Sequence, residues 1–185
     1  MSIVLASVMC LLLRRASSPK VLGVDGKHHQ PWSEAAGKPV VFIFISHDCP
    51  VCNAYGPEIG RIEAAFKGRM NFDIVYSEER LTKEQARAHA KEFAIGHALL
   101  LLDPDREFAK YCNAAVTPQA ILYDSGAKKV YSGRIDDRYY ALGQLRPMPT
   151  SHDLIQAINA VLAHQTPKPA SGPPIGCFIT LPHKT

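Results

Sequence analysis

Residues 40–52 read VVFIFISHDCPVC, an unbroken apolar run that stops at Ser46 and passes directly into two cysteines two residues apart. Val40 to Ile45 is β-branched and aromatic throughout, the composition of a central strand buried on both faces. From Cys49 to about Lys67 the pattern changes. Val51, Tyr55, Ile59, Ile62, Ala65 and Phe66 recur near helical spacing, and Pro57 inside the pattern predicts a kink. Cys49 and Cys52 therefore stand at a strand-to-helix junction. Such a pair can hold a metal, form a structural staple or exchange electrons.

The 185 residues are enough for one well-buried core, and 46% apolar, 21% charged and 8% aromatic residues describe an ordinary globular domain. The net charge of +4 is modest, basic residues never run beyond two in a row, and nothing in the pattern supports nucleic-acid binding. Five cysteines (Cys10, Cys49, Cys52, Cys112 and Cys177) make an odd count with one close pair, which is not a disulfide scaffold. Residues 1–18, MSIVLASVMCLLLRRASS, are apolar from Ile3 to Leu13, shorter than the roughly 20 residues of a spanning helix. The arginines come after the apolar run instead of preceding it. The segment reads as an atypical export signal, with an N-terminal helix packed on the domain as the alternative, and it is where weak membrane association is expected. Cys10 lacks the small preceding residue that a lipoprotein site would want.

Outward from the junction, Asp25-Gly26 marks the turn of a short hairpin, and NFDIVY at 71–76 alternates as a strand. Thr82-Lys83-Glu84-Gln85 is a capping box that opens a helix to about Ile95, stopped at Gly96. HALLLLD supplies a third strand, Pro104 to Cys112 a short helix, and AILYD at 120–124 a strand that returns through Lys128 to Ser132 after a turn. Ser151 to His164 is an amphipathic terminal helix. Prolines at 167, 169, 173, 174 and 182 rule out regular structure over most of the remaining chain. The expected division is an N-terminal segment 1–18, a redox domain 19–165 and a proline-rich tail 166–185 that carries Cys177. The order β-α-β-α-β-α-β-β-α predicts an α/β fold, a mixed sheet with helices on both faces. Strands joined by helical crossovers should pair in parallel, and the close hairpin antiparallel.

A cysteine that opens a helix meets unpaired N–H groups and the positive end of the helix dipole, which favour the thiolate. Pro50 suits the first helical turn. Cys49 is then the expected exposed nucleophile, and Cys52, one turn on, the thiol that attacks the mixed disulfide and releases product. A zinc site would need a second CxxC or a short-spaced histidine pair, and only His28-His29 and His47 are on offer. A structural disulfide closing one helical turn adds little stability.

The strand VVFIFI, the CxxC opening a helix, Pro57 eight residues after Cys49, and Val116-Thr117-Pro118 ahead of AILYD resemble the thioredoxin superfamily in order and spacing. The resemblance implies a cis Pro118 against the cysteine pair, and Thr117 offering its backbone to substrate as a short β-edge, with Pro50 and Val51 alongside. DCPVCNAYGPEI, GRIDDRY, PTSHDLIQAINAVL and PPIGCFI are similar to the redoxin branch, which is related to alkyl hydroperoxide reductases and thiol-specific antioxidants and is found in exported bacterial thioredoxin-like proteins. This likeness covers roughly residues 20–180. It implies a thiol–disulfide oxidoreductase that acts on protein thiols and disulfides, is served by an upstream redox partner, needs no cofactor or metal, and works in the bacterial periplasm or on the outer face of the membrane, with the cytoplasm as the alternative. The chain departs from the family patterns in two respects. Ile43 stands where thioredoxins bury an acid, and Phe42 and Ser46 stand where peroxiredoxins carry Pro and Thr.

Among the remaining residues, His47 is a candidate cation for the Cys49 thiolate, and Glu58 a candidate proton shuttle for Cys52. Cys177, beside a Gly176 that permits close backbone approach, is a candidate third redox thiol or copper ligand. Cys112 reads as a small core residue, and Arg134, Asp136, Asp137 and Arg138 as surface ion pairs. Two alternative functions remain open: a Cu(I)-delivery protein using Cys49, Cys52 and either a histidine or Cys177, and a thiol peroxidase using Cys49.

Overall fold

The computed structural model describes residues 19–180; the segment 1–18, with Cys10 and the expected export and membrane roles, lies outside them, as do residues 181–185. The chain enters through the expected hairpin, β1 (Val21–Gly23) and β2 (His28–His29), and continues into α1 (Pro31–Glu34). The predicted alternation then runs through β3 (Val40–Ile45), α2 (Pro50–Phe66), β4 (Asn71–Tyr76), α3 (Lys83–Glu92), β5 (Leu99–Leu102) and α4 (Glu107–Cys112). After these come β6 (Val116–Thr117), β7 (Gln119–Tyr123), β8 (Lys129–Gly133), a small ribbon of β9 (Tyr139–Ala141) and β10 (Gln144–Leu145), α5 (Asp153–Leu162) and β11 (Cys177–Phe178). The capping box forms, Thr82 and Gln85 exchanging side-chain and backbone bonds at the start of α3. α2 continues through Pro57 as one helix.

Seven strands make one mixed sheet in the order β2-β1-β5-β4-β3-β7-β8. β3, β4 and β5 pair in parallel, and β7 is antiparallel to both β3 and β8. The crossover from β5 to β7 does not give the parallel pairing expected of it. α4 is six residues long, about 9 Å of helix, too short to carry the chain back along the sheet. β7 therefore starts at the end where β5 finished, Gln119 opposite Phe44, and runs the other way.

All six residues of β3 are buried, and they alternate between two cores. Val41, Ile43 and Ile45 pack with α2, α3 and α5; Val40, Phe42 and Phe44 pack with α1 and α4. The second core is aromatic, with the Trp32 ring 5.0 Å from Phe42 and 5.5 Å from Phe108. α2 lies close against the end of α3 because Gly56 has no side chain, since a Cβ there would stand 2.1 Å from the Phe93 carbonyl oxygen. No helix among the described residues is long and apolar enough to cross a membrane.

Candidate functional site

β3 stops at Ile45 because Ser46, His47 and Asp48 turn the chain, and α2 begins after them with Cys49 as its N-cap. Ser46 donates its hydroxyl to Asp48, and the Cys49 N–H reaches the Ser46 carbonyl at 3.4 Å. Pro50 occupies the first helical position, where its missing N–H costs nothing. Neither cysteine is in a disulfide, and both are buried. Cys49 is therefore not the exposed sulfur expected from sequence, and the reason lies at the other end of the chain.

The Thr117–Pro118 peptide bond is cis, and the Cys49 sulfur lies 3.4 Å from the Thr117 carbonyl oxygen, to which it donates only in its protonated form. Gln119 fixes this loop, its side-chain carbonyl accepting from the N–H groups of Ala115 (2.9 Å) and Val116 (3.2 Å). The backbone edge of β6, expected open to substrate, is occupied by the protein's own tail. β11 pairs antiparallel with it, Cys177 opposite Thr117 and Phe178 opposite Val116. Thr117 adds a bond from its hydroxyl to the Cys177 carbonyl (3.3 Å), and the Ile179 N–H reaches the Ala115 carbonyl at 2.9 Å. The approach is tight enough to require glycine, because a Cβ on Gly176 would stand 1.9 Å from the Thr117 oxygen.

These contacts split the thiols electrostatically. Hydrogen bonding from the Cys52 thiol, then from the Cys177 thiol and from the N–H groups of both residues, outweighs burial and brings Cys49 down to about 5. Burial first, and then the Cys49 sulfur beside it, hold Cys52 well above the ordinary thiol range. The Cys49 sulfur, and after it burial, pushes Cys177 up to about 11. One of three neighbouring sulfurs is thus the thiolate, and it is the helix N-cap.

Of the other residues singled out from sequence, Pro50 is exposed beside Cys49, whereas Val51 and Thr117 are buried and offer no surface to a partner. Val51 faces the α2 core. His47 does not act on Cys49: its N–H donates to Glu78 at 2.6 Å, and its ring Nδ1 pairs with the same carboxylate. Glu58 is taken by Arg61, at 2.5 and 2.8 Å. His29 bonds Asp25 and Glu34 at the β2 edge of the sheet, with β1, β5 and β4 between it and β3, so His28-His29 does not meet the thiols. The residues of GRIDDRYY secure loops rather than chemistry. Asp137 receives Thr150 and Ser151 N–H groups at 2.6 and 2.9 Å, Asp136 receives the Tyr55 hydroxyl, and Arg134 pairs with Asp153 at 3.0 Å. Cys112 is a core residue at the end of α4.

Two residues escape the sequence reading. Glu78 anchors the loop ahead of Cys49, and nothing about an acid after a strand announces that. Gln119 is more visible, as the one amide in an otherwise apolar strand, directly after Pro118. Two groups among the described residues bring three side chains of metal-ligating type within 4.8 Å, His47-Asp48-Glu78 and Glu58-Asp136-His152; neither contains a cysteine.

No protein-family model and no curated protein sequence matches the chain. Solved structures do. An uncharacterized conserved protein from Geobacillus kaustophilus superposes with a TM-score of 0.79 at 23% identity, covering 91% of this chain and 92% of that one. A hypothetical protein from Sinorhizobium meliloti 1021 gives 0.77 at 25% identity, over 91% and 94%. A secreted Mycobacterium tuberculosis disulfide oxidoreductase homologous to Escherichia coli DsbE gives 0.55 at 18% identity, over 80% of this chain and 96% of that one. The fold is thioredoxin-like. In this thioredoxin-like chain the CxxC pair occupies the start of α2 with the cis Thr117–Pro118 loop against it.

Proposed function

We propose that the chain is a thiol–disulfide oxidoreductase of the redoxin branch, acting on thiols and disulfides of partner proteins through Cys49 and Cys52. The observation that carries this reading is the CxxC pair at the N-terminus of α2 with the cis Thr117–Pro118 loop against it, an arrangement that lowers one sulfur and holds the other well up behind it. The Cys49 thiolate attacks a partner disulfide, and one partner sulfur leaves as thiolate. Cys52 gives up its proton and attacks the Cys49 sulfur, releasing the second partner thiol and closing the Cys49–Cys52 disulfide. The reverse order oxidises a partner dithiol. A stabilised thiolate favours the reduced form, so the pair is more oxidising than one of ordinary acidity. Export is part of the proposal, in keeping with the secreted oxidoreductase that shares the fold.

Neither rival reading gains a specific observation. The three sulfurs do not belong to either cluster of metal-ligating side chains among the described residues. Phe42 is locked in the aromatic core, and Ser46 is engaged with Asp48, which leaves a peroxidase without its usual supports.

Equilibration of the protein with a glutathione redox series, with disulfides mapped by mass spectrometry, tests the proposal. A Cys49–Cys52 disulfide should form with a potential between those of thioredoxin, about −270 mV, and DsbA, about −120 mV, since the Cys49 acidity lies between theirs. If no Cys49–Cys52 disulfide forms at any poise, the proposal fails.

A further inference from the structure

Cys49 is wholly buried, whereas Cys177, the thiol beside it, is exposed. A partner sulfur meets the tail before it meets the helix. The tail is also built to stay there. Ser171 donates its N–H (2.8 Å) and hydroxyl (2.9 Å) to Asp153, which Arg134 holds from the other side at 3.0 Å. Arg134 reaches Ser171 as well, at 2.6 Å. Gly176 then lays the backbone on Thr117 and the Pro118 ring, and β11 completes an antiparallel pair that sets Cys177 across from Thr117. Thr117 is the residue whose carbonyl the Cys49 sulfur touches. The tail strand thus sits where a partner polypeptide would otherwise pair, and it brings a cysteine with it. Phe178, next in sequence, turns an 82% exposed apolar ring to the outside.

We propose that Cys177 is a third catalytic thiol, an internal relay that carries the disulfide between buried Cys49 and the thiols of a partner. The relay rests on the exchange mechanism of Cys49 and Cys52 and assigns its outward step. In the oxidised protein the Cys177 thiolate attacks the Cys49 sulfur. The Cys49–Cys52 bond breaks, Cys52 leaves with the electron pair and takes up the proton that Cys177 lost, and a Cys49–Cys177 disulfide forms without an external oxidant. A partner thiolate then attacks the exposed Cys177 sulfur and Cys49 departs as thiolate, the better leaving group of the two. A second partner thiolate attacks the partner sulfur of that mixed disulfide and Cys177 is released. Two electrons have passed from the partner dithiol to Cys49 and Cys52. Run backwards, the same steps reduce a partner disulfide.

The test uses the full chain and glutathione disulfide as the probe. In Cys52→Ser, glutathione disulfide exchanges with exposed Cys177, or with Cys49 whenever the tail lifts, and the other of these two thiols then displaces glutathione to give Cys49–Cys177. A thiol held in contact outcompetes free glutathione, so the adduct on Cys49 should be at least about tenfold lower in Cys52→Ser than in Cys52→Ser/Cys177→Ser. Peptide mapping after acid quench reads both species. Cys52→Ser/Gly176→Ala keeps every thiol of the single variant but cannot seat the tail, and it should accumulate the adduct as the Cys177-less variant does. Equal adduct in Cys52→Ser and Cys52→Ser/Cys177→Ser, with no Cys49–Cys177 peptide, overturns the relay. If the unmutated chain still forms Cys49–Cys52 in that case, the exchange mechanism stands without it. Failure of the unmutated chain to form Cys49–Cys52 removes both.

Discussion

Cys49 and Cys112 are the same side chain at opposite ends of two helices, the N-cap of α2 and the last residue of α4, and both are completely buried. One is lowered to about 5, and the other is pushed up to about 12. Burial acts upward on both, so burial does not make the difference. At Cys49 two thiols and two N–H groups converge on the sulfur and outweigh it. At Cys112 burial dominates, and the Tyr123 hydroxyl and the Lys129 charge offset it only in part. A thiol in a protein core is inert by default, and reactivity has to be assembled around it by donors that favour its anion.

The comparison breaks or holds most visibly in a titration. The ultraviolet thiolate absorbance of the reduced protein should rise with a step near pH 5. That step should vanish in Cys49→Ser and persist in Cys112→Ala. A low-pH step that survives Cys49→Ser would show that the acidic thiol is elsewhere.

The half of this site that is local in the chain is legible in the sequence. VVFIFI, the CxxC at the start of a periodic segment, and Pro118 ahead of AILYD each carry a pattern of their own, and the structure places them together. What makes Cys49 buried and acidic is not legible in the same way. β11 is two residues long and is held mainly by backbone groups of Thr117 and Ala115, and backbone bonds leave no trace in side-chain periodicity. Gly176 and Cys177 are visible as unusual residues, but their destination is not. The hold of Glu78 on His47 has the same character, a contact between distant loops that redirects a histidine away from the sulfur it was expected to serve. The direction of β7 departs from expectation because the crossover rule assumes a helix long enough to return the chain, and α4 is not.

Asp73 sharpens the comparison with a carboxyl in place of a thiol. It is buried on β4 beside a cavity of about 350 Å³ that Glu34, Glu63 and His97 also line, and no hydrogen-bond donor among the described residues reaches its carboxyl. Burial first, then the Glu34 charge, raise it to about 7, with His29 opposing. The folded protein therefore keeps this proton to about pH 7, whereas the unfolded chain gives it up near 3.8. Across that window the folded state binds more protons, so stability falls as pH rises, by at most about 1.4 kcal/mol per pH unit, and levels off above it. Asp73→Asn should remove this slope, its advantage over the unmutated chain growing from acid to neutral pH in denaturant melts. Parallel curves for the two proteins would mean that Asp73 is solvated or paired.

The smallest expected effect concerns the tail, which covers Cys49 directly and reaches the core around Cys112 only through half-buried Ile179. Against burial, which pushes upward, the N–H and hydroxyl of Ser171 and then Arg134 bring the Asp153 carboxyl below its ordinary range. A depressed carboxyl stabilises the folded state above the unfolded pKa and loses that contribution as pH falls through the folded one. The latch is therefore in full force at neutral pH and weakens in acid. Ser171→Ala removes a single hydroxyl donor, about 1 kcal/mol, which raises the population of the undocked tail about fivefold if docking alone guards the sulfur. The labelling rate of Cys49 by iodoacetamide at neutral pH should rise by that factor, with Cys112 much less affected as the internal control, because the aromatic core covers it and the tail adds only half-buried Ile179 to that core. The gain should shrink as Asp153 takes up its proton in acid, where the unmutated tail is already loosened. Equal acceleration at both cysteines would point to global loosening, and no acceleration at Cys49 would mean that something other than the Ser171–Asp153 contact keeps the tail in place.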